Sequence, residues 1–102
     1  MKTVVIIGAG QLGSRYLQSL SRSAYPLDIW TMDIDTASLE TARRRYEEVS
    51  GKDRKNQVHY VQRMDMLPLY IDVAILSSTS KPRYSILYDL LNRAKVSYIL
   101  LE

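Results

Sequence analysis

The stretch Thr3-Val4-Val5-Ile6-Ile7-Gly8-Ala9-Gly10-Gln11-Leu12-Gly13 decides the fold. Its first five residues form a short, largely β-branched run, which suits a strand buried on both faces of a parallel sheet. Gly8 closes that run. Beyond the glycines, Leu12, Tyr16, Leu17, Leu20 and Ala24 recur at helical spacing until Pro26 prevents further helix. The spacing predicts a first helix that ends near Ala24. A glycine triplet between a strand and a helix has a mechanical reading as a dinucleotide-binding turn. Gly8 permits the sharp bend, Gly10 lacks a Cβ and so lets a pyrophosphate approach the backbone, and Gly13 lets the helix pack closely on the sheet. Gln11 and Leu12 lie in the first turn, where free N–H groups and the positive end of the helix hold phosphate charge. The bland alternative is a glycine turn with no ligand. At a glycine frequency of about 7%, such a triplet arises by accident in roughly 3% of chains of this length. Here it takes three of the 4 glycines in the chain.

Working outward, residues 27–32 form a second apolar run containing Ile29 and Trp30, followed by Asp33-Ile34-Asp35 and Thr36, which offer N-caps. Leu39, Ala42, Tyr46 and Val49 then fall at steps of three and four with Gly51 after them, a second amphipathic helix whose Arg43, Arg44 and Arg45 lie largely on its wet side. Residues 58–62 read as a third strand and 73–76 as a fourth. The fourth ends in Ser77-Ser78-Thr79-Ser80, after which Ile86, Leu87, Leu90, Leu91 and Ala94 form a helical stripe, and residues 96–101 close as a fifth strand. Strands alternating with helices require parallel pairing and right-handed crossovers. The expected architecture is an α/β, Rossmann-type doubly wound parallel sheet of order 3-2-1-4-5, with helices on both faces and one domain over residues 1–102. One link is tight. Residues 63–71 must span roughly 22 Å across and back along the sheet. Extended, they reach about 30 Å, so the link is feasible without a full helix.

Composition narrows the classes. The chain has 102 residues, enough for one core. Cys is 0, which excludes a disulfide scaffold, a Cys-ligated metal site and a thiol nucleophile. Hydrophobic content of 46% with 25% charged residues is that of an ordinary globular protein. The opening apolar run, residues 4–7, is far too short for a spanning helix or signal core. A cytoplasmic protein without membrane contact is expected. The net charge is +3, much of it from Arg43, Arg44, Arg45, Lys52, Arg54 and Lys55, which is too mild for a nucleic-acid footprint.

Asp33 stands about twenty residues beyond Gly13, at the end of the second strand, where a carboxylate accepts hydrogen bonds from adenosine ribose hydroxyls. A 2′-phosphate there would meet like charge, so NAD is preferred over NADP. Against this, Asp33 also suits a turn or helix cap, Asp35 competes for either role, and the arginine triplet can in principle approach a phosphate. In an open sheet the ligand lies beyond the carboxyl ends of the strands at the switch point, here between strands one and four. That sets Ser77, Ser78 and Thr79 opposite the glycine turn, as cofactor contacts or as a plain cap for the next helix. His59, the single histidine, falls on an edge strand with no obvious partner and reads as structural; no metal constellation exists. Tyr numbers 8 and Phe 0; Tyr16, Tyr46, Tyr84 and Tyr88 fit helix faces and are expected to pack in place of Phe.

With these residues assembled, residues 3–20, Asp33-Ile34-Asp35 and residues 71–102 resemble the nucleotide-binding half of the glucose-fructose oxidoreductase and inositol dehydrogenase family. The most telling part is Asp72-Val73-Ala74-Ile75-Leu76-Ser77-Ser78-Thr79, then a helix, then Val96-Ser97-Tyr98-Ile99-Leu100-Leu101-Glu102. Those enzymes carry a strand, a small polar turn, a helix and a strand ending in Glu-Lys-Pro. The resemblance implies that Glu102 corresponds to that Glu and that Ile34 borders the cofactor beside Asp33. It also implies an NAD(P)-dependent oxidoreductase passing a hydride between nicotinamide and a sugar or polyol, with a small-molecule substrate bound only in a longer protein. The chain has Thr79, Ser80 and Arg83 where the family's turn holds Pro, Asn and a nearby His. The family's catalytic Lys and substrate domain would lie beyond residue 102, so this piece is expected to bind cofactor without turnover; a homo-oligomer is compatible with either state. A rival reading is a regulatory nucleotide-sensing module similar to the cytosolic domains that gate potassium transport, which open with the same glycines and acid and need no catalytic residues.

Overall fold

Aliphatic side chains alternating between two faces build the sheet. In the computed structural model, which describes residues 1–51, 55–77 and 83–102, the first strand β1 (Lys2–Ile7) buries Val4 and Ile6 on one face and Val5 and Ile7 on the other. Alternation onto two cores is what a central parallel strand needs. Around it stand β2 (Leu27–Met32), β3 (Gln57–Val61), β4 (Tyr70–Leu76) and β5 (Lys95–Leu101). All pairings are parallel and the order is β3-β2-β1-β4-β5. This is the expected Rossmann-like order.

Helices α1 (Gln11–Leu20) and α2 (Thr36–Ser50) set Leu17, Leu39, Ala42 and Tyr46 against Val4, Ile6, Ile29 and Ile75. On the opposite face α3 (Arg83–Arg93) sets Leu90, with Ile86 and Leu87, against Val5, Ile7, Ala74 and Leu76. The β3–β4 link holds only a 3₁₀ turn, Met64–Met66. It is anchored by Leu67, 2% exposed, and by Arg93 Nη2 donating to the carbonyls of Asp65 (2.8 Å) and Leu67 (2.6 Å).

Several local expectations shift. α1 ends at Leu20 rather than near Ala24, because Ser21, Arg22 and Ser23 donate to the carbonyls three residues back and tighten the chain into 3₁₀-type turns. β4 begins at Tyr70, ahead of the apolar run, and β3 starts and stops one residue earlier than its pattern suggests. Leu91 leaves the buried stripe of α3, and Tyr84 and Tyr88 do not substitute for core Phe. At 76% and 64% exposed, they sit on the flank of α3 that turns away from the sheet. His59, expected to stand alone, is held on two sides: its Nε2 lies 2.9 Å from Asp28 Oδ1 and its ring stacks on Trp30 at 4.0 Å. No described helix is long and apolar enough to cross a membrane.

Candidate functional site

The β1–α1 turn is built from backbone first. Gly8 adopts φ +100°, a conformation that side-chain-bearing residues rarely accept, and its N–H donates to Met32 O at 2.8 Å. Gly10 is the N-cap of α1 and offers no side chain to the first-turn amides, and that turn contains no acidic residue. Those amides are therefore left without a side-chain partner. A Cβ at Gly10 would meet nothing within 4 Å, so the space above it is open; one at Gly13 would lie 1.8 Å from the Gly8 carbonyl oxygen. Gly13 is needed for close packing beneath the turn, and Gly10 leaves its surface bare.

Asp33, just after β2, is joined to this turn directly. Its Oδ2 accepts from the Ala9 N–H at 2.8 Å and its Oδ1 from the Asp35 N–H at 2.9 Å. One carboxylate thus fixes the β1–α1 and β2–α2 turns relative to each other. Each oxygen keeps a lone pair for a further donor. Asp35 takes the capping role that competed for Asp33, accepting from Ala37 N–H and the Ser38 hydroxyl. Ser77 closes the opposite wall: its N–H donates to Ile7 O at 3.0 Å, and its hydroxyl lies 2.8 Å from Gly8 O and 3.2 Å from Ile7 O. That hydroxyl positions the glycine turn.

Together Gly8, Gly10, Gln11, Leu12, Asp33 and Ser77 line one cavity of about 570 Å³, within the range of ligand sites. Arg15 completes the wall. Sequence reasoning missed Arg15 because the glycine pattern stops at Gly13; the available signal was its place one turn into the helix, from which a long side chain leans back toward the N-terminus. Ile34 is 82% exposed beside Asp33 and stands outside the wall. Glu102 is outside it too: its carboxylate accepts the Tyr16 hydroxyl of α1, and its N–H donates to Leu76 O. The hydrogen bond to Glu102, followed by burial and the carboxylate charge, raises the Tyr16 hydroxyl above its usual pKa. Ser78 and Thr79 lie outside the described residues. The arginine triplet contributes no wall residue: Arg43 lies over the Tyr60 ring at 4.5 Å and pairs with Glu40 at 3.5 Å. Among the described residues no group of acids and histidine is arranged to hold a metal ion.

No family model matches the sequence, and no curated protein does. Among solved structures, a diketoreductase is similar over 98% of this chain with a TM-score of 0.66 and 18% identity. The chain spans 40% of that enzyme's length. A universal stress protein in complex with cAMP is similar over 99% of this chain and 96% of its own, with a TM-score of 0.51 and 16% identity. At these identities both likenesses establish the Rossmann-like α/β fold that the chain shares with an oxidoreductase and with a nucleotide-binding stress protein.

Proposed function

We propose that the chain binds a dinucleotide through the β1–α1 turn, NAD in preference to NADP, as the cofactor-binding domain of an oxidoreductase. One observation carries the reading: a bare helix N-terminus and a carboxylate with spare lone pairs line the same cavity. The amides suit a diphosphate and Asp33 suits ribose hydroxyls, while its charge opposes a 2′-phosphate. The nicotinamide would supply the redox chemistry, and this chain's share is to bind and orient. The glucose-fructose oxidoreductase and inositol dehydrogenase resemblance supports a sugar or polyol substrate, handled by a further domain of a longer protein.

A second reading has its own support. The cAMP-bound stress protein covers nearly the same length as this chain, and a nucleotide-sensing module needs only the cavity. Calorimetry separates the two. NADH titrated into the chain should release heat that Gly10→Val abolishes, since the added side chain occupies the space above the turn. Heat with cAMP and none with NADH favours the sensor; no heat with either, or equal heats in both proteins, defeats binding at this turn.

A further inference from the structure

Two groups of opposite charge line the cavity without neutralising each other. The Asp33 carboxylate is held by the amides of Ala9 and Asp35, whereas no described residue gives the Arg15 guanidinium an ion pair or a hydrogen bond. Arg15 is exposed and stands in the second turn of α1, where a helical side chain is directed back over the first turn. That first turn has no acid to attract it. Arg43 of α2 is engaged by Tyr60 and Glu40. Among the described residues Arg15 is thus the one cation of this wall, carried by the helix whose first turn holds the bare amides.

We infer that Arg15 makes this site select phosphorylated ligands over nucleosides, by a charge-assisted contact to the diphosphate of the nucleotide proposed above, a reading on which this inference rests. A guanidinium is permanently charged and presents paired donors that match phosphate oxygens. It adds to the amides the one element they lack, a full positive charge. The ligand class follows from the two charges of the wall: an anionic group for Arg15 and hydroxyls for Asp33. A 2′-phosphate is disfavoured, since beside Asp33 it would meet like charge. The shallow hollow between α1 and α2, which Arg15 shares with Gln18, Ser19, Arg22 and Val49, is the alternative place for the guanidinium.

The test uses ADP and adenosine as probes, titrated by calorimetry into the wild-type chain, Arg15→Gln and Arg15→Lys. Gln has nearly the helix propensity of Arg, so the three proteins should melt alike. Arg15→Gln should weaken ADP about tenfold or more, leave adenosine unchanged and flatten the salt dependence of ADP affinity. Arg15→Lys, which keeps the charge, should recover most of the loss. ADP bound equally by wild type and Arg15→Gln overturns the role of Arg15 while leaving the site intact. Adenosine weakened as much as ADP also overturns it, because the loss would then not be a phosphate effect. A wild-type chain that binds neither probe defeats the inference together with the reading beneath it.

Discussion

A methyl group added at Gly13 would fall 1.8 Å from the Gly8 oxygen and 2.8 Å from Ser77 Oγ, while one added at Gly10 would meet nothing. Two glycines of one motif therefore answer to different constraints. The obstacle at Gly13 is backbone held by Ser77, which cannot swing aside as a flexible side chain would. Gly13→Ala should cost about 3 kcal/mol, at the upper end of overpacking effects, and lower the melting temperature by about 15 °C. Gly10→Ala should stay within about 1 kcal/mol of wild type yet bind NADH at least tenfold more weakly. Thermal melts and calorimetry on the two variants check this; a Gly13→Ala protein as stable as wild type would show that the turn repacks freely. The glycines and Asp33 were readable in the sequence because their roles depend on what they lack or on a fixed offset from the turn. Arg15 was not, since nothing in its neighbours Ser14 and Tyr16 distinguishes it from any exposed helix arginine. Ser77 was readable as a position only. That its hydroxyl meets the Gly8 carbonyl depends on how β4 registers with β1, Leu76 beside Ile7, which no local pattern encodes.

Between elements, α2 and β3 meet at a ring and a guanidinium. Tyr60 packs against the core under Arg43, and burial pushes its hydroxyl up to about 12 from the usual 10.0, against the opposing pull of the Arg43 charge. Raising the folded pKa of an acid means that the native state resists ionisation. Its contribution is complete below pH 10, where both states are neutral. It is lost as pH rises from 10 toward 12, where the unfolded chain ionises first. For a half-buried, partly screened ring the loss should be about 1 kcal/mol. Urea midpoints measured across that window should fall less for Tyr60→Phe than for wild type; parallel curves would mean the ring is solvated. The elements themselves were legible where apolar periodicity runs unbroken, as in β1, β2 and α2. Their ends were not. Ala24 continues the helical spacing on paper, but 3₁₀-type hydrogen bonds from Ser21 to Ser23 end α1 first. Tyr70 and Asp72 break the apolar run of β4, yet pairing with β5 extends the strand through them. The stripe of α3 pointed inward correctly at Leu90 and wrongly at Leu91, because a single helix on that face shields only a narrow arc.

At the scale of the whole molecule the helices divide unequally between the two faces of the sheet. α1 and α2 pack on one face with residues of β1, β2, β3 and β4, and α3 alone packs on the other. On the second face, the Asp28, Trp30 and His59 cluster stands half-buried on β2 and β3. The consequence is sharpest at β5. It is one of the two edge strands, and Tyr98, Ile99, Leu100 and Leu101 are 74%, 37%, 41% and 41% exposed. Natural edges are blunted by charge, proline or bulges. Here no charge or proline falls between Lys95 and Glu102, so six consecutive uncharged residues present open backbone. Antiparallel pairing with a second β5 would set the Lys95 end of each strand beside the Glu102 end of the other, whereas parallel pairing would stack like charges, so association in the antiparallel sense is favoured. Sedimentation velocity should therefore show larger species as the chain is concentrated, and Leu100→Lys should return it to monomer. Because Leu100 lies outside both buried clusters, the same variant should keep its melting temperature, which separates loss of association from loss of fold. A chain that stays monomeric at every concentration, or one whose association ignores Leu100→Lys, would show that twist or side-chain crowding already protects this edge.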